Sequence, residues 1–116
     1  MSMCIYQIEV PKEQHTKAFS KFMQEEFLPS AAAPSVPTRA GQWSGARLLE
    51  RTKGSGADNA PVFFLFRYWR GYTAAPPCPG SLGASDEMLR KLESFGAHPK
   101  LLGAYENKGE VLNIGE

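Results

Sequence analysis

Hydrophobic and polar positions divide this chain into stretches of two kinds, some alternating every second residue and some recurring every three or four. The densest apolar run is Val62 to Tyr72, VFFLFRYWRGY, with Pro61 before it and Gly71 as its punctuation. Its β-branched and aromatic content predicts a central strand. Val62, Phe64, Phe66 and Tyr68 fall on one side, and Phe63, Leu65, Arg67 and Trp69 on the other, because strand side chains alternate. Both sides are mostly apolar, so the strand is expected to be covered twice.

The remaining elements follow from the same two periods. Residues 4 to 10 predict a first strand with Cys4, Tyr6, Ile8 and Val10 on its apolar face and Ile5, Gln7 and Glu9 on the more polar one, stopped by Pro11. A helix is predicted from Glu13 to Leu28, with His15, Phe19, Phe22, Met23 and Phe27 on one stripe and Pro29 as its end. Residues 29–42 have no useful period and predict a long loop, the wall or lid of a pocket. Trp43 to Thr52 reads as a second strand, and the Gly-, Asp- and Asn-containing segment after it as the hairpin connection into the central strand. A second Pro-rich loop covers 73–84, expected like the first to border a cleft. Ser85 then caps a helix with Asp86 and Glu87 in its first turn, Met88, Leu89, Leu92 and Phe95 on one face, and an end near Gly96. His98-Pro99 opens a short helical turn, PKLLGAYE, and Glu110 to Ile114 a last short strand.

The order β-α-β-β-α-β is that of a ferredoxin-like α+β fold: an antiparallel sheet with two helices on one face. Those helices cover only one face. The face carrying Phe63, Leu65 and Trp69 is expected to remain open, and burying such side chains stabilises by about 1.5–3 kcal/mol each. A homodimer packed through that open face follows as an expectation.

Composition narrows the function classes. At 116 residues the chain suits one domain, 1–116, and its 42% hydrophobic and 22% charged content is that of an ordinary globular protein. A net charge of +1, with no basic block, gives no field for nucleic acid. The N-terminus has no signal-peptide pattern, and no apolar run is long enough for a membrane span. Cys4 and Cys78 stand alone without CxxC spacing, which argues against structural zinc. Read as two lone thiols, in preference to a Cys4–Cys78 disulfide, they place the chain in the reducing cytoplasm.

The element order, the two-faced third strand ending FRYWRGY and the helix and His around FGAHPKLL together resemble the dimeric α+β barrel superfamily. That superfamily includes antibiotic-biosynthesis-type monooxygenases, small haem-degrading monooxygenases, stress-response barrels and NIPSNAP-like proteins. The resemblance covers nearly the whole chain and rests on architecture. It implies a ligand cleft between the sheet and its helices and loops, and an activity such as a cofactor-independent monooxygenase or isomerase acting on a small aromatic or polyketide-like substrate. Some haem-degrading members use an Asn on the first strand, a Trp near the third and a His on the second helix; the matching places here hold Gln7, Trp69 and His98. Gln in place of Asn, and a His directly before Pro99, count against haem, so no cofactor is expected.

Arg67 is the sharpest candidate among the residues themselves. A guanidinium sharing a strand face with Phe63, Leu65 and Trp69 needs an anionic partner, either Glu9 or Glu50 on a neighbouring strand or a carboxylate or enolate ligand. His15, on the helix stripe, and His98, in a turn, are candidate proton carriers, weighed against plain packing roles. Trp43, Tyr68, Trp69 and Tyr72, flanking the Pro-rich loops, are candidate walls for a flat ligand, weighed against core and interface. Two histidines without acidic ligand spacing predict no metal site. Two function classes stand: an enzyme using Arg67 and a His on an enolisable substrate, or a non-catalytic dimer that binds a metabolite or only contributes an interface.

Overall fold

A computed structural model describes residues 2–32, 43–51, 62–70 and 84–115. Strand β1 runs Ser2–Glu9, and a 3₁₀ turn, Lys12–Gln14, leads into helix α1, Lys17–Phe22. A π-helical segment, Met23–Phe27, and helix α2, Leu28–Ala32, continue it. Then come β2 (Trp43–Glu50), β3 (Val62–Arg70), helix α3 (Asp86–Ser94) and β4 (His98–Glu106). The four strands form one antiparallel sheet in the order β2-β3-β1-β4. The fold is α+β and compatible with a ferredoxin-like arrangement.

Local chemistry accounts for most boundaries. Thr16 caps α1 by accepting from the Phe19 amide, and Ser85 caps α3 by accepting from the Met88 amide. At the other end of α3, Gly96 adopts φ 74, which a side chain would resist. Its N–H reaches the Glu93 carbonyl and that of Ala97 the Leu92 carbonyl, the paired bonds that close a helix behind a left-handed residue.

Three sequence expectations are corrected. Pro29 does not end the first helix, which runs on to Ala32. A helical proline clashes with the carbonyl four residues back, here Glu25, and the π-helical turn just before it widens the helix, with the Leu28 N–H reaching back to Met23. PKLLGAYE is not a helical turn but most of β4, because β1 needs a partner on its second side; a register shift opposite Ile5/Tyr6, beside Gly103 at φ 152, accommodates it. Glu110–Ile114 carries no strand pairing and lies exposed. The expected loop at 29–42 begins inside α2, and the rest of it, the expected loop at 73–84 apart from its last residue, and the hairpin connection lie outside the described residues.

The largest correction concerns the two faces of the sheet. Cys4, Tyr6 and Ile8 of β1 lie across from Arg67, Leu65 and Phe63 of β3 in the ladder, and all are buried. Phe19, Phe22, Met23 and Phe27 from the first helix and Leu92 from α3 pack onto this face. Phe63, Leu65 and Trp69 therefore form the helix-covered core, not an open interface. The face that no described helix covers carries Met3, Ile5 and Gln7 with Tyr68, Phe66 and Phe64 opposite them, each only partly buried. Gly45 belongs to this face, and a Cβ there would stand 2.8 Å from the Tyr68 ring, so the ring can lie over β2 only because the position is bare.

Candidate anion site around Arg67

β3 alternates, so Arg67 follows Leu65 onto the core face and sits 3% exposed among apolar side chains. Its Nε donates to the Ala31 carbonyl at 2.9 Å. Ala31 lies in the last turn of α2, where carbonyls lack helical partners and the dipole favours a cation, so the guanidinium also closes that helix. The Trp69 ring lies beside it, 5.1 Å from the guanidinium carbon to the ring centroid, an attraction of the cation for the π face. The Tyr6 hydroxyl accepts a hydrogen bond from the same guanidinium. Nη1 is buried and makes no hydrogen bond.

Burial dominates the electrostatics of this group. Loss of water lowers the Arg67 pKa from its ordinary value, with Tyr6 partly opposing the shift. Burial likewise raises that of the Tyr6 phenol against the pull of Arg67. At neutral pH this is a charged guanidinium beside a neutral phenol. Such a pair offers donors to an oxyanion, and among the described residues no carboxylate pairs with the guanidinium.

The two internal partners expected for Arg67 are both engaged elsewhere. Glu9 accepts from Gln7 Nε2 at 2.8 Å and belongs to the other side of the sheet. Glu50 meets His15 Nε2 at 2.5 Å.

The other sequence candidates are scattered. Trp69 and Arg67 come together. His15 stands at the opposite end of β3, edge-on to Phe63 at 5.8 Å between centroids, and Phe63 and Arg67 lie about 13 Å apart along the strand. His15 and Glu50 instead border a separate open groove of about 450 Å³ with Ser20 and Lys21. His98 begins β4 across from Glu9 and is exposed, and Gln7 shares that side of the sheet. Trp43 begins β2 opposite Arg70, its side chain outside what is described, and Tyr72 lies outside the described residues altogether. No histidine approaches Arg67.

Tyr6 and Cys4 are the residues that sequence reasoning passed over. Their signal was present, since both fall on the apolar face of β1, but a phenol on a core stripe reads as packing. Cys4, directly across from Arg67 in the ladder, is disulfide-bonded. The argument from lone thiols to a reducing compartment therefore does not hold for it. Cys78, the other cysteine, lies outside the described residues.

Among the described residues no group of three or more His, Cys, Asp or Glu side chains is placed to hold a metal ion, and no helix is long and apolar enough to cross a membrane. Compared with known proteins, the chain matches no family model, no curated protein and no solved structure.

Proposed function

We propose that this chain is a small-molecule-binding protein of the dimeric α+β barrel type, whose ligand is a small aromatic or enolisable anion held by Arg67. The observation that carries this reading is the buried Nη1 of Arg67, which has no hydrogen-bond partner, on a guanidinium that pairs with no carboxylate among the described residues. A buried donor left unsatisfied costs about 1–3 kcal/mol, more when charged, and a carboxylate or phenolate offsets that cost. Trp69 supplies a flat wall, and Tyr6 a second polar group next to the same charge. Binding without chemistry takes precedence over catalysis, because neither His15 nor His98 lies near Arg67 to move a proton. A monooxygenase or isomerase built on this site would depend on Tyr6 for that step.

Dimerisation belongs to the same reading, through the face bearing Phe64, Phe66 and Tyr68 in place of the one expected from sequence. Three partly exposed aromatics on the central strand support it, since further burial stabilises by up to about 1.5–3 kcal/mol each. The second copy would pack sheet against sheet, about 10 Å away.

Calorimetry with salicylate as the probe tests the ligand. The wild type is expected to bind, and Arg67→Gln to bind about 1.5–3 kcal/mol more weakly through loss of a charged hydrogen bond. Equal affinity in the two proteins would remove Arg67 as the anchor. Phe66→Asp is expected to sediment as a folded monomer where the wild type is a dimer.

A further inference from the structure

Beyond β4 the chain runs out as EVLNIG, a β-prone sequence with no pairing in the sheet. Val111, Leu112 and Ile114 are 84%, 77% and 91% exposed. A Cβ added at Gly109 or Gly115 would meet nothing within 4 Å. The hydrogen bonding here is local: Gly109 N–H donates to Asn107 Oδ1 at 2.9 Å, a turn that redirects the chain out of β4. Three large aliphatic side chains almost wholly in water, on a β-prone sequence with no pairing, read as a strand without its ladder.

Among the described residues the sheet has two edges. β4 is a poor template, because Pro99 gives no N–H and the chain is irregular at Leu102–Gly103, opposite the register shift. β2, at the other edge, has neither proline nor register shift over Trp43–Glu50. Resting on the dimer proposed above, we infer that Glu110–Ile114 of one copy adds as a fifth strand to the β2 edge of the second copy, and reciprocally. Reach allows it: residues 107–114 extend about 26 Å, while a sheet packed face to face lies about 10 Å away. Main-chain hydrogen bonds along the edge give the affinity, and alternate side chains of the tail cover apolar surface on the partner.

Amide hydrogen exchange on the full chain and on a chain ending at Lys108 tests this, with sedimentation to fix the oligomeric state. The tail makes no contact that the fold depends on, so the shortened chain should fold. In the full-length dimer, amides 111–114 are expected to exchange about 100-fold more slowly than in an unstructured peptide, and dilution to monomer should abolish that protection. The shortened chain should lose protection along residues 43–50. A dimer whose tail exchanges freely overturns the strand addition and leaves the sheet-face dimer standing. Slow tail exchange in the monomer overturns it too, since the strand then pairs within its own chain. Unchanged protection of 43–50 in the shortened chain removes β2 as the acceptor, and a chain that stays monomeric at all concentrations overturns both readings.

Discussion

The core face of β3 ends in two very different environments. At the Phe63 end, Phe63, Phe19, Phe22 and Phe95 meet edge to face or tilted, with centroids 5.0–6.4 Å apart. The polar groups at the margin there, His15 and Glu50, are paired with each other and partly in water. At the other end, a buried guanidinium is satisfied by one carbonyl, one phenol and one ring, with a donor left over. One end is closed by shape and the other is incomplete in charge. Shape alone stabilises a fold, while an incomplete charge is a cost to the free protein that a ligand can offset.

Substitutions should separate the two ends, and the largest effect belongs to the aromatic one. Phe19, fully buried and touching three rings of this cluster, should cost about 3–5 kcal/mol when cut to Ala, read as a lowered denaturation midpoint at unchanged slope. At the charged end the sign should reverse. Arg67→Met replaces an incompletely satisfied buried charge with a flexible apolar chain of compatible shape, so stability should hold or rise by about 1–4 kcal/mol while salicylate binding is lost. A loss of 3 kcal/mol or more in that variant would make Arg67 a structural residue and erase the contrast.

Tyr6→Phe should cost about 1–3 kcal/mol at neutral pH, because it leaves another buried donor of Arg67 without an acceptor. It should also change the alkaline limb. The folded-state pKa of Tyr6 is raised above the ordinary 10.0, so its contribution is fully present below pH 10 and is lost as pH rises through the folded value. Denaturation between pH 9 and 11 should show a steeper fall in wild type than in Tyr6→Phe. The smallest effect is at the paired surface group: Glu50→Gln should cost no more than about 1 kcal/mol, since the partners are 32% and 39% exposed, and added salt should shrink even that.

Much of the architecture was legible in local pattern. The alternation in residues 4–10 and the stripe of Phe19, Phe22, Met23 and Phe27 each name an element and its buried side, and the cap at Ser85 holds, whereas His15, expected on that stripe, stands exposed before the helix. Arg67 was legible as a residue needing a partner for the same reason: a charge on an apolar alternation must be answered by something. The composition of β3, apolar on both faces, says that both want cover.

Which face the helices take is not written in that strand, since VFFLFRYWR is nearly as apolar on one side as on the other. It is decided by pairing: β1 has one clearly apolar face, and the register that sets Cys4 across from Arg67 and Ile8 across from Phe63 commits the matching side of β3 to the core. Pairing also turned PKLLGAYE into an edge strand and left VLNI without a neighbour. It set Glu9 on the other side of the sheet from Arg67, while His15 claimed Glu50. Periodicity reports what each residue wants to bury, and only the ladder decides what it is buried against.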